Sequence, residues 1–271
     1  MKEASVLIVE SDPYKRNWMA LLLARDWRSQ VIGEVSSLDE VPAFYQGEKI
    51  KKRGFPNMIL FNVDQAPSPS SQPHPWLALA QLPGSPALLM IGESSRADVL
   101  QALPFPGFCG YLLKPEIRHS LAWAAAFAMQ GDWVITPSLE ADFESRFRLE
   151  RQKNPRITIL NGHNPIHGFT ENDADIARMA VIFSMERGEL SDEIKVTKEW
   201  VYGLISELYK KLGLEEIRSG EVDPAEYFGE QFARLPQVQA AIKSAAQNRK
   251  GKDLETLAYH ILTMPAITEL R

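Results

Sequence analysis

The chain has 271 residues, with 30 Lys+Arg against 35 Asp+Glu and a formal net charge of −5. Hydrophobic residues make up 45% and charged residues 24%, the proportions of an ordinary globular protein, and the length suggests two domains; a wholly disordered chain is excluded. The acidic balance gives no general attraction to nucleic acid, so DNA binding calls for a local basic surface.

In chain order, Ser5 to Val9 is nearly all apolar, as a strand buried on both faces should be. Lys15 to Arg25 predicts a helix with Trp18, Leu21 and Leu22 on one face. Val31–Val35, Met58–Val63, Ala87–Ile91 and Gly110–Leu113 predict four more strands, and Leu38–Gln46 a short helix. Gln65 to Pro75 carries four prolines and three serines, which forbid regular structure and leave an extended loop at the C-terminal edge of the sheet. Leu121–Gln130 and Ser138–Gln152 predict helices, and Arg151–Gly168 a linker or small loop insertion. Helical patterns follow over Thr170–Ser184, Glu186–Glu193 and Thr197–Leu212. Thr170 with Asp173 forms a capping-box start, Thr197 is a second cap, and Gly213 is a left-handed stop. About two more helices fill Pro224 to the end.

Other signals are slight. The longest small-apolar run, Leu121 to Met129, is far short of the roughly 18 residues of a membrane span, and MKEASVLIVE does not read as a signal peptide. The single cysteine, Cys109, admits no internal disulfide; it points to a cytoplasmic setting and reads as a small core residue. Asn164 and Pro165 break any helix that would align His163 with His167, so no metal site is expected. No phosphate-binding glycine loop, nucleophile elbow or catalytic carboxylate pair is present, so no catalytic residue and no enzyme activity are expected.

The runs VLIVESDP, FPNMILFNVD, PALLMIGES and GYLLKP resemble, in order and spacing, the strand ends of a two-component receiver domain over about the first 118 residues. Lys114-Pro115 is the most specific piece. The resemblance implies a Mg²⁺ site of two acidic residues after the first strand, a phosphoacceptor Asp ending the third, a hydroxyl after the fourth and a Lys after the fifth. Here Glu10 and Ser11 stand at the acidic pair, Asn62 at the phosphoacceptor, Ile91 at the hydroxyl and Lys114 at the lysine. An amide is not nucleophilic towards phosphorus, and isoleucine cannot hydrogen-bond a phosphoryl oxygen. Asp64 and Asp12 are the acids that could replace the lost ones; otherwise Lys114 pairs with Glu10 as a structural ion pair.

GDWVITPSLEADF (131–143) resembles the short strand-and-helix connector that follows receivers in the NarL/FixJ family. FTENDADIARMAVIFS and ERGELSDEIKVTKEWVYGLISELYKKLGL resemble its LuxR-type helix-turn-helix, with Ser184 or Phe183 where a glycine usually precedes the second helix. The resemblance implies a recognition helix from Thr197, DNA as partner and a homodimer. The DNA-facing candidates are Lys195, Lys198, Tyr202, Ser206, Lys210 and Lys211. From Phe169 to Arg218, seven basic residues face eleven acidic ones, a net of −4 and the wrong sign for a phosphate-binding surface.

The expected fold class is thus α/β: a doubly wound, parallel, five-stranded receiver-like domain (1–130), a connector (131–168), an all-α helix-turn-helix domain (169–218) and extra C-terminal helices (219–271). The expected function is an atypical, phosphorylation-independent response regulator in DNA-binding transcription regulation, with no cofactor. Two alternatives stand beside it: a protein-interaction adaptor on the same folds, and a small-molecule sensor using the vacated receiver pocket and the Pro-rich loop.

Overall fold

The computed structural model describes residues 3–66, 75–102, 107–147, 156–162, 164–166, 168–222 and 252–270. The chain divides into two compact units, residues 1–163 with 265–271, and residues 164–264.

The first unit is built on a sheet whose five expected strands are all present: β1 (Ala4–Val9), β2 (Ser29–Val35), β3 (Met58–Asn62), β4 (Ala87–Gly92) and β5 (Phe108–Leu113). They run parallel in the order β2-β1-β3-β4-β5. Ile8, Met58 to Phe61 and Leu88 to Ile91 are essentially inaccessible, which explains their unbroken apolar sequence. Helices α1 (Pro13–Ala24), α2 (Val41–Gln46), α3 (Glu48–Arg53), α4 (Ala97–Ala102), α5 (Lys114–Ile117) and α6 (Leu121–Ala128) connect the strands or follow the fifth. Every residue of α6 is buried, and its alanines let it pack close to α1, β4 and β6 (Trp133–Ile135). Below Trp123 lies a buried guanidinium, that of Arg28, 3.9 Å from the ring centre and held in a fork by Asp26. The paired carboxylate is what lets that charge stay out of water.

The sheet does not stop at five strands. The stretch that reads as a connector supplies β6 and β7 (Ile157–Asn161), both parallel. The far C-terminus returns as β8 (Ala266–Leu270), antiparallel on β7, giving a sheet of eight strands among the described residues. A further helix, α7 (Glu140–Phe147), precedes β7 and buries Phe143 against Trp133. Gly110 is what admits β6. A Cβ there would stand 2.2 Å from the Val134 carbonyl oxygen, inside contact distance of backbone that cannot step aside. Gly110→Ala is therefore expected to lower stability by about 1–3 kcal/mol. Urea denaturation checks it, with an unchanged midpoint excluding this account of the β5–β6 approach.

The second unit is helical in its described residues: α8 (Glu171–Val181), α9 (Arg187–Glu193), α10 (Lys198–Lys211), α11 (Leu214–Ser219) and α12 (Lys252–Leu262). Thr170 and Asp173 form the reciprocal capping box of α8, and Thr197 Oγ1 accepts from Trp200 N at the start of α10. Gly213 takes φ +60 after α10. Ser184 holds φ +50, so Ser184 rather than Phe183 stands where the resemblance has glycine. Val201, Ile205 and Leu208 form the inward stripe of α10, and α12 packs on α8 and α11. Residues 223–251, which hold much of the expected C-terminal helical stretch, lie outside the described residues, as do 67–74 of the Pro-rich loop.

Candidate functional site

Two places carry the residues singled out by sequence. The first is the C-terminal edge of the parallel strands, where open α/β sheets collect their functional groups. Glu10 closes β1 with its side chain 1% exposed. Its carboxylate accepts from Asn62 Nδ2 at 2.7 Å and from Asp12 N at 3.0 Å. The Asn62 carbonyl oxygen accepts from Asp64 N at 3.1 Å, so the amide bridges two segments by donating to one and accepting from the other. Lys114, at the first position of α5, sends its ammonium among three carboxylates: Glu10 at 3.6 Å, Asp64 at 3.2 Å and Glu93 at 3.4 Å. Lys15, in the first turn of α1, binds Glu93 from the other side at 2.7 Å. That hydrogen bond, with Lys114 behind it, holds the Glu93 carboxyl below the usual carboxylate range. The contribution is present at neutral pH and fades as pH falls through the lowered value; exposure of both side chains keeps it small.

Several sequence candidates take different places. Asp12 is the N-cap of α1, its Oδ1 accepting from both Tyr14 N and Lys15 N, so that oxygen is spent on the helix. Ser11 is exposed at the turn. Ile91 is fully buried in β4, paired in register with Asn62. The β4 position that faces the carboxylates is the next one, Gly92, where a Cβ would stand 3.1 Å from Asp64 Oδ1 and 3.2 Å from the Tyr111 hydroxyl. The shift is one residue at a strand end, and neither residue carries a hydroxyl. Sequence reasoning missed Glu93, Lys15 and Arg96. Arg96 donates to the Val63 and Ala66 carbonyls, fixing the turn after β3, and forks onto Asp98. Their signal was present, charged residues just past a strand end or in a helix's first turn, but such residues are most often only solvated.

The Mg²⁺ implied by the receiver resemblance does not fit these residues. Only Glu10 of the acidic pair remains, Asp12 is committed as a cap, and an ammonium already lies among the three carboxylates. Among the described residues no group of three or more His, Cys, Asp and Glu is arranged to hold a metal ion. His163 and His167 lie outside the described residues.

A cleft of about 500 Å³ lies at the opposite edge of the sheet, lined in part by Asn57, Ser85, Phe108, Cys109, Met129 and Trp133. Cys109 is buried, and burial pushes its thiol up to about 12. A thiol raised that far stays protonated through neutral pH and is a poor nucleophile. Native protein at pH 8 is therefore expected to resist iodoacetamide and to be alkylated fully once unfolded in urea, as intact-mass spectrometry would report.

The second place is α9, the turn and α10. Lys195 sits in the turn with φ +57, and Lys198 opens α10; both are exposed, and neither forms an ion pair with another described residue. Lys210 and Lys211 are different: they pair with Glu207 and Asp173, each at 3.0 Å. Tyr202 is half exposed with the Arg187 guanidinium 3.9 Å above its ring, and Trp200 is exposed to a similar degree. Ser206 is exposed on the same helix. No described helix is long and apolar enough to cross a membrane.

No family model matches the chain, and no curated protein matches it. Among solved structures it is similar to the Salmonella typhimurium RcsB response regulator, at 13% identity and a TM-score of 0.42 over 79% of this chain and 93% of that one. An RcsB–DNA complex matches at 12% and 0.42, over 78% and 93%. The response regulator ChrA of a heme-sensing two-component system matches at 16% and 0.38, over 91% and 100%. These likenesses are weak in both measures, and the functional reading rests on the residues.

Proposed function

We propose that this chain is a transcription regulator of the response-regulator kind, not an enzyme, whose receiver-like unit works without aspartyl phosphorylation and whose helical unit binds DNA as a homodimer. The observation that carries the DNA part is the α9–turn–α10 arrangement. A Thr-capped helix buries Val201, Ile205 and Leu208 and leaves Lys198, Tyr202 and Ser206 outward, with Lys195 in the turn before it. The observation that supports phosphorylation independence is Asn62, an amide tied to Glu10, at the end of β3. Lys195 and Lys198 are the principal phosphate-binding groups, with Lys210 and Lys211 in a lesser role because each already faces a carboxylate.

An electrophoretic shift with mixed genomic fragments at low and moderate salt tests the reading. A salt-sensitive shift is expected. Absence of any shift at low salt overturns it in favour of the adaptor reading, which the exposed Trp200 and Tyr202 support, since Trp and Tyr are the usual anchors of protein interfaces. In that event Trp200→Ala should abolish binding to the partner.

A further inference from the structure

We infer that Lys114 is the built-in cation of the carboxylate cluster, an electrostatic latch that closes the C-terminal edge of the sheet in place of a divalent metal. The juxtaposition that carries this is one ammonium within 3.2–3.6 Å of three carboxylates from three separate segments: the end of β1, the turn after β3 and the residue after β4. The ammonium itself starts α5, so a fourth segment is tied in. The Lys114–Glu10 pair is no surface pairing, since their side chains are 9% and 1% exposed, whereas Asp64 and Glu93 form the cluster's outer side.

The remaining bonds show that the cluster is complete as it stands. Lys15 supplies a second ammonium to Glu93, and Glu93 N donates to Asp64 at 3.0 Å. Glu10 also accepts the Asn62 amide and Asp12 N, while Arg16 donates to the Glu10 carbonyl at 2.6 Å. Three carboxylates against two ammoniums leave one net negative charge, too little to draw a hydrated divalent ion past a resident ammonium. Hard cations of this kind need several open carboxylate oxygens. Without Lys114, three carboxylates would share the site with only Lys15 at its rim. Two consequences follow: the edge loses its tie, and a hard cation gains its ligands.

This deepens the phosphorylation-independent reading by naming what holds the site shut, and it is tested separately from phosphoryl transfer. Mn²⁺ and Mg²⁺ are added to the full chain and to Lys114→Met, which keeps the stem without the charge. Free Mn²⁺ is followed by electron paramagnetic resonance and melting by scanning fluorimetry. The parent is expected to leave the Mn²⁺ signal and its own melting temperature unchanged at millimolar metal. Lys114→Met is expected to melt about 5–10 °C lower without metal and to recover part of the loss with Mg²⁺ or Mn²⁺. Mn²⁺ binding by the parent overturns the inference and needs no variant, so the test holds even where Lys114→Met does not fold. A folded Lys114→Met that melts like the parent, or that gains no metal affinity, also overturns it. Chemical phosphorylation of a metal-indifferent parent would sink the phosphorylation-independent reading while leaving the latch intact.

Discussion

Incubated with acetyl phosphate and Mg²⁺, the protein is expected to keep its mass. An acyl phosphate needs a carboxylate nucleophile, a cation to gather the charge of the transferring group and donors to hold the product. At the end of β3 stands Asn62, whose amide nitrogen is committed to Glu10 and whose oxygen accepts from Asp64 N. Asp64, the nearest alternative, accepts from Glu93 N and lies 3.2 Å from the Lys114 ammonium. Gly92 supplies no hydroxyl beside it. Intact-mass spectrometry is the check, and a phosphoryl adduct mapped to Asp64 or Asp12 would refute the expectation. Placing a carboxylate at position 62 is expected to cost stability. Asn62→Asp turns a 2.7 Å hydrogen bond into an apposition of two buried carboxylates, so one of the pair is pushed upward in pKa. The sign follows: the loss, about 1–3 kcal/mol, is full above the raised value and shrinks as pH falls through it towards the ordinary carboxylate range. Urea denaturation at pH 5 and pH 8 reads it, the variant approaching the parent at the lower pH.

Replacing Lys195 and Lys198 together by Ala is expected to weaken DNA binding about tenfold to a hundredfold at moderate salt and to flatten the salt dependence by about one unit of slope for each phosphate no longer neutralised. The pair Lys210→Ala and Lys211→Ala should do less. Each of those lysines gives part of its charge to Glu207 or Asp173, so its removal also frees an acid on a surface already short of base. The order of the two effects is the discriminating result, read from shift assays across a salt series. Equal losses, or a larger loss from the second pair, would place the phosphate-binding groups at the C-terminal end of α10 instead. A Lys211 effect on melting temperature is a separate matter, because Lys211 also ties α10 to the capping residue of α8.

Much of this protein is legible locally. The inner strands announce themselves because a strand buried on both faces must be apolar at nearly every position, and Leu88 to Ile91 are, while edge strand β2 carries exposed Gln30 and Glu34. The helix ends in the second unit are legible because caps are short-range bonds. Thr170, Asp173, Thr197 and Gly213 each satisfy backbone within a few residues of themselves. That position 62 carries an amide and no carboxylate is likewise a matter of residue identity and needs no coordinates.

Tertiary structure decided the rest, because it depends on groups far apart in the chain. Trp133 to Ile135, only three residues long, is legible as a strand solely through the resemblance of 131–143 to a strand-and-helix connector, and Ile157 to Asn161, between prolines 155 and 165, has no setting that marks one. They become β6 and β7 because Gly110 lets one backbone approach and the exposed edge that follows finds partners. β8 comes from more than a hundred residues beyond β7, and nothing in the local pattern of Ala266 to Leu270 could name its neighbour. At the charge cluster, Lys114 and Glu10 could be matched by sequence, but Glu93 and Lys15 could not. Composition shows that charges exist; only the convergence of β1, β3, β4 and α5 at one sheet edge brings them close enough for Coulomb attraction to choose among them.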